Sequence, residues 1–331
     1  MTIWTRWVRQ PQSLWLRKAL FQVHLWTGIG VGLYLIAICV TGSVLVYRVE
    51  IMRAITPPPI VAIPSGDRLT DDQLKDAAAR AYPGFQVTDV FRARNKNQAV
   101  DIWLKRGSET RKRLFDPYTG KDLRDSVPFG ISMMSSALDL HDNLFGGPTG
   151  RLVNGGGAVF LLVLALTGMI VWWPGIKNWR RSLLLHRKVG WKRFNWDLHS
   201  ALGIWSLAFV LLFGITGTYL SFPEFFSNLA DVIQPPTATN AGTRLVDSVM
   251  YWLAYAHFGR FARRIPGCLA RCDMTLKFVW AAFGLTPAAL FVTGAIMWWN
   301  RVLDPLRRTY VARKTVSELP QIDRRLPAEA E

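Results

Sequence analysis

The sequence predicts an all-α membrane protein: a four-transmembrane-helix bundle built from a duplicated helix pair, with a small α+β insertion after its first span. Three observations predict it. Four apolar runs, 25–47, 152–174, 198–222 and 278–299, are each long enough, at about 1.5 Å per residue, to cross a hydrocarbon core of about 30 Å. Half of the 331 residues are hydrophobic and 15 are Trp, which points to a membrane rather than to two soluble domains. Finally, HLWTGIGVGLYLIAICVTG from His24 is echoed by HSALGIWSLAFVLLFGITG from His199, so that His24/His199, Gly28/Gly203, Thr41/Thr216 and Gly42/Gly217 each differ by 175 positions.

A second echo completes the repeat. LTGMIVWWP, ending at Pro174, resembles VTGAIMWWN, ending at Asn300, and each follows a further histidine, His141 in HDNLFGG and His257 in HFGRFARR. The chain therefore reads as two copies of a helix pair, each contributing two histidines.

Taken in order, residues 1–23 mix Trp4, Trp7 and Trp15 with Arg6, Arg9, Arg17 and Lys18, as an interfacial amphipathic segment does. Span one is 24–48, an uncleaved anchor because its apolar run is too long for a signal peptide and no small-x-small site follows. Residues 49–130 form the insertion. It opens on the Pro-rich linker ITPPPIVAIPSGD and continues, over 67–125, as a helix from Asp67 to Ala81 and the strands QVTDVFRARN and QAVDIWLKRG, joined by a turn at 95–97. RKRLFDPYTGKDL reads as a third strand running into a turn.

Residues 131–151 place Met134, Leu138, His141 and Phe145 on one stripe, an interfacial helix broken by GGPTG before span two at 152–174. The loop 175–196 carries Lys177, Arg180, Arg181, Arg187, Lys188, Lys192 and Arg193, and no acid before residue 197. Span three is 197–222. The connection 223–277 repeats the earlier plan, a linker rich in Pro and Thr and then Val249, Leu253 and His257 on one stripe, before span four at 278–299, where Pro287 predicts a kink. Residues 300–331 are a tail with Arg301, Arg307 and Arg308.

Short basic loops stay on the cytoplasmic side, so the N-terminal segment, the loop 175–196 and the tail are expected there. The connections 48–151 and 223–277 then lie outside, in the periplasm of a Gram-negative bacterium. The net charge of +17 expresses this topology rather than nucleic-acid binding. Cys39 is mid-span and inert, whereas Cys268 and Cys272 lie outside, where a disulfide can form; CxxC redox spacing is absent.

Asp116–Gly120, DPYTG, after a helix and strands, resembles the PepSY domain. The surrounding spans, with H-x-W-x-G, D-L-H and T-G-x-x-x-W-W, resemble the PepSY-associated transmembrane family over roughly residues 20–300. Within that family the resemblance is to inner-membrane siderophore-iron reductases of the ferrioxamine-uptake type. It implies b-type haem between the spans, one or two per chain, and a ferric siderophore or other ferric chelate as acceptor.

The residues give that implication positions. His24 and His199 share the cytoplasmic level and His141 and His257 the outer level, so the topology sorts four imidazoles into one pair per face. Imidazole is a standard haem ligand, and bundle interiors hold cofactors between facing helices. Gly28 and Gly203, four residues beyond their histidines, leave room for a macrocycle. Gly42 and Gly217, 18 residues beyond, share that face about 27 Å higher, beside a second haem. A small-residue stripe also simply packs helices. His186 repeats nowhere and is expected to be solvated, and no HExxH-like cluster suggests a non-haem metal.

The pairs Trp172–Trp173 and Trp298–Trp299 read as a cytoplasmic aromatic belt. Arg260, Arg263, Arg264 and Arg271 are dense for an outer segment; they suit haem propionates, an anionic chelate or lipid head groups. The function expected is an oxidoreductase of the inner membrane that passes electrons outward and releases ferrous iron, with no residue as acid or nucleophile. Two alternatives stay open. A non-enzymatic protein could bind or regulate a periplasmic partner through the PepSY-like domain, and a metal or chelate transporter would want charged groups inside its spans.

Overall fold

The computed structural model describes residues 2–237, 244–260, 262 and 265–307. Arg263, Arg264, Arg308 and the tail beyond 307 lie outside the described residues. The chain divides into two compact units, residues 47–140 and the remainder.

The larger unit holds the four spans. They are α2 (Trp15–Leu45), α6 (Gly147–Trp172), α7 (Trp191–Ser221) and a broken fourth span made of α10 (Ala270–Gly284) and α11 (Thr286–Trp298). Each is long and apolar enough to cross a membrane, and the protein is a membrane protein. The helices pack as a ring, α2 against α6, α6 against α7, α7 against α11 and α11 against α2, so that α2 and α7 face each other across the centre.

Outward faces carry large apolar side chains such as Leu33, Trp205 and Phe278, exposed as lipid contacts demand. The interior instead buries Ser43, Thr167, Ser206, Thr216 and Thr293. The hydroxyls of Thr167, Ser206, Thr216 and Thr293 donate to the carbonyl one turn back, which removes the cost of an unpaired polar atom in an apolar bundle. Close approach is bought with small residues: a side chain at Gly157 would overlap the ring of Tyr34, whose hydroxyl donates to Asn154 Oδ1 at 2.6 Å and ties α2 to α6.

Pro287 acts as expected, with the fourth span breaking at Leu285. Proline cannot donate to the Phe283 carbonyl, and the Thr286 hydroxyl takes over that acceptor at 2.6 Å. The outer end of this span also buries Lys277, paired with Asp273 at 2.5 Å, just before the run read from sequence.

Several boundaries differ from the sequence reading. Within the segment before His24, α1 (Ile3–Arg9) and a single turn at Pro11–Ser13 precede α2, which starts nine residues before His24. No Pro or Gly interrupts Trp15–Val23, so the span simply extends through it. The stretch after span three, read as linker, contains α8 (Pro223–Ile233), with Pro223 at its first position. The final outer helix α9 (Leu245–Phe258) ends at Gly259, in the left-handed conformation at φ 63° and without space for a Cβ beside Trp280.

The smaller unit contains α3 (Arg48–Ile55), α4 (Asp71–Ala81) and an antiparallel sheet of β1 (Gln86–Phe91), β2 (Val100–Arg106), β3 (Glu109–Phe115) and β4 (Asp122–Asp125) in sequential order. Thr70 and Gln73 cap α4 reciprocally, which moves its start from the expected Asp67 to Asp71. Leu74 and Ala78 of α4 bury against Val100, Ile102, Leu104 and Phe115. In the DPYTG turn, Asp116 Oδ1 accepts from the backbone N–H of Tyr118 and Thr119 at 2.8 and 3.0 Å. The segment beyond that turn, expected only as a turn, pairs as β4, with Arg113 bridging Asp122 and Asp125. Helix α5 (Phe129–Asn143) follows, and its last residues, from His141 on, belong to the larger unit.

Candidate functional site

Four imidazoles meet in two pairs inside the larger unit. His24 on α2 and His199 on α7 face each other with ring centroids 6.4 Å apart, and His141 and His257 do so at 6.2 Å. Two imidazoles sharing one metal at about 2 Å per bond place their ring centres about 6 Å apart, so both pairs have the spacing of an axial ligand set. Thr41 and Thr216, which touch the outer pair, lie 17 residues beyond His24 and His199, about 25 Å along the helices. The pairs therefore stand at opposite ends of the bundle, with His24 and His199 at the end expected to be inner and His141 and His257 at the end expected to be outer. Among the described residues no three His, Cys, Asp or Glu side chains gather as a metal-binding group.

Each imidazole is seated by a Thr-Gly dipeptide on a span. His24 Nδ1 meets Thr167 Oγ1 at 3.0 Å, His199 meets Thr293 at 2.8 Å, His141 meets Thr41 at 3.3 Å and His257 meets Thr216 at 2.7 Å. Every one of these hydroxyls has a carbonyl one turn back as its own acceptor, at 2.6 to 3.0 Å. The hydroxyl oxygen is then free to accept, and Nδ1 donates. For His141 the assignment is independent of the hydroxyl, because Nδ1 also lies 3.0 Å from the Ile38 carbonyl, which can only accept. A proton fixed on Nδ1 leaves the Nε2 lone pair for a metal.

The glycine of each dipeptide lies under the ring. A Cβ on Gly168 would stand 3.1 Å from His24 Cε1, on Gly294 3.4 Å from His199, on Gly42 2.7 Å from His141 and on Gly217 4.0 Å from His257. Burial lowers the pKa of His141, and that of His257 to about 3 with His141 adding to the effect, so both imidazoles are neutral at ordinary pH.

A cavity of about 940 Å³ opens beside the inner pair. Its walls are Leu25, Ile29, Leu164, Leu207, Leu290 and Phe291, with His24 and His199 between them and Gly28 and Gly203 alongside. A Cβ on either of those glycines would meet Leu164 at 3.6 Å or Leu290 at 3.7 Å, so their missing side chains widen the cavity. Its other end is lined by Arg17, Arg181, Lys192, Arg193 and Arg301. An apolar slot with two opposed imidazoles and a cationic rim fits a porphyrin dicarboxylate.

Other expectations fare differently. Gly42 lies against the His141 ring, and Gly217 lies nearer Ala158, at 3.3 Å, than His257, at 4.0 Å. His186 is partly exposed but not free: its Nδ1 is 2.9 Å from Asp197, a buried carboxylate that Arg193 also holds at 3.0 Å. Arg260 lies over the Phe258 ring next to His257, and Arg271 is exposed in the first turn of α10. Cys268 and Cys272 are joined by a disulfide, and Cys39 is free and buried. Sequence reasoning missed Thr41, Thr167, Thr216, Thr293, Gly168 and Gly294 as site residues, although Thr41-Gly42 recurs as Thr216-Gly217 in one echo and Thr167-Gly168 as Thr293-Gly294 in the other.

Residues 21–244 and 234–301 match the family described as the PepSY-associated TM region. The chain belongs to this family. A relative within reach of sequence comparison is an uncharacterised protein of Pseudomonas aeruginosa, 39% identical over 83 residues, which is 24% of this chain and 20% of that protein. The aligned stretch thus spans about a fifth of that relative's length. For this PepSY-associated transmembrane chain the Thr seats make a direct prediction. Thr216→Val keeps the shape of the site and removes the acceptor for His257, and a haem offered to the His141–His257 pair of the purified protein is expected to bind about 10- to 100-fold more weakly, read by titration.

Proposed function

We propose that the protein is a b-type haem oxidoreductase of a bacterial inner membrane that carries electrons outward to ferric iron in a siderophore or similar chelate, releasing ferrous iron. The observation that carries this reading is the pair of opposed imidazole sets, at 6.4 and 6.2 Å, one near each face of the bundle. Bound haem supplies a one-electron carrier whose iron moves between the ferric and ferrous states. His24 and His199 hold one such group, and His141 and His257 a second.

Thr167, Thr293, Thr41 and Thr216 keep the Nδ1 proton in place, which fixes each ring's tautomer and orientation. The apolar walls of the inner cavity exclude water and so help to set the potential. Arg260 and Arg271, with Arg263 and Arg264, give the outer segment a positive field for an anionic chelate. Ferrous iron binds hard oxygen ligands less strongly than ferric iron, so reduction releases it.

The reading places both termini in the cytoplasm and both long connections in the periplasm, where the disulfide Cys268–Cys272 is at home. Electrons enter from a quinol or a soluble reductase on the cytoplasmic side. No nucleic acid is a partner; lipid is. The test is an absorption spectrum of the protein purified from haem-sufficient cells. A red protein with a Soret band that shifts on dithionite reduction, and about two haems per chain, is expected. A colourless protein overturns the proposal.

A further inference from the structure

Three buried donors in the larger unit have no acceptor among the described residues: Trp172 Nε1, Trp298 Nε1 and Arg17 Nε. All three residues line the inner cavity that His24 and His199 enter. Leaving a buried donor without a partner is costly, so three around one cavity imply an acceptor that belongs there.

The two tryptophans are equivalent positions of the repeat. Trp172 lies five residues beyond Thr167 and Trp298 five beyond Thr293, so each indole is about 7.5 Å of helix rise below its histidine seat, on opposite sides of the cavity. Their neighbours are spent differently. Trp173 Nε1 donates to the Trp7 carbonyl at 3.2 Å, and Trp299 is half exposed, as belt residues are. Arg17 Nη2 donates to the Val171 carbonyl at 2.5 Å, which fixes the guanidinium and leaves Nε free. Arg301 adds a cation to the same lining. Asp197, the one acid among the lining residues, is already held by His186 and Arg193, so the end of the cavity remains positive.

Two indole N–H groups related by the repeat, with a guanidinium beside one of them, suit two carboxylates carried on one rigid ligand. Resting on the haem reading above, we infer that Trp172, Trp298 and Arg17 grip the two propionates of the inner haem and fix which edge of the macrocycle faces the cytoplasmic side. In this arrangement the inner members of the tryptophan pairs are ligand contacts, and only Trp173 and Trp299 remain belt residues.

The test uses full-length protein carrying His257→Ala, so that only the inner pair is read, prepared without haem and titrated in detergent with haemin or with haemin dimethyl ester, whose carboxylates are blocked. The parent chain is expected to hold haemin at least about tenfold more tightly than the ester, one lost charge-assisted hydrogen bond sufficing for that factor. The double variant Trp172→Phe/Trp298→Phe should bring the two ligands to within about threefold and lower the reduction potential, because uncompensated propionate charge favours ferric iron. Trp173→Phe should change neither.

Equal affinity of the parent chain for the two ligands overturns the inference without recourse to any variant. So does a double variant that keeps the full preference and potential. In both cases haem still binds and is lost on His24→Ala, which leaves the haem reading standing. Failure of the parent chain to bind either ligand at the inner pair overturns both readings.

Discussion

Replacing His199 by Ala is expected to lower haem content from about two per chain to about one, and to leave the remaining haem spectrally unchanged. The imidazole faces that of His24 with ring centroids 6.4 Å apart beside the cavity, so its removal would leave a haem there with one of its two protein nitrogens. The outer pair stands about 25 Å along the helices and uses different seats, so the two effects should add rather than couple. His24→Ala should give the same result, and His141→Ala or His257→Ala the reciprocal one. Pyridine haemochrome quantification with low-temperature spectra of the two centres decides it. Stoichiometry indifferent to all four substitutions would remove the ligand assignment.

The spans, the duplication and the depth of each histidine were legible because they depend on quantities the sequence displays, namely run length, charge asymmetry and identity at a fixed offset. Pairing across the bundle followed from depth alone, since four histidines at two levels of one small ring of helices have few partners. The seats were harder to see. The Thr-Gly dipeptides look like ordinary small-residue packing, and their role depends on which residue of a distant helix faces them. His186 shows the same limit: eleven residues from Asp197, it gives no periodic sign that the two meet. Helix α8 was hidden by the Pro and Thr around it, although Pro223 at a helix start is permissive rather than disruptive. Strand β4 was hidden by its charges, which Arg113 neutralises only once the sheet has formed.

The glycine seats separate a packing role from a positioning role, and Gly42→Ala should do so most sharply. A Cβ there would lie 2.7 Å from Cε1, 3.2 Å from Nδ1 and 3.5 Å from Nε2 of His141, so the methyl presses on the face of the ring. The ring is the mobile partner, and moving it stretches the Nδ1 bonds to the Ile38 carbonyl at 3.0 Å and Thr41 at 3.3 Å. Loss of outer-haem retention by about 10- to 100-fold is expected, with the inner haem untouched. The equivalent substitution in the other repeat is the control. At Gly217 the methyl would meet Ala158 Cβ at 3.3 Å and His257 only at 4.0 Å, so α6 and α7 give slightly and the imidazole stays. Gly217→Ala should therefore keep both haems. If the two variants lost the outer haem equally, pressure of the methyl on the imidazole would not be what decides retention, because that contact is 2.7 Å at Gly42 and 4.0 Å at Gly217.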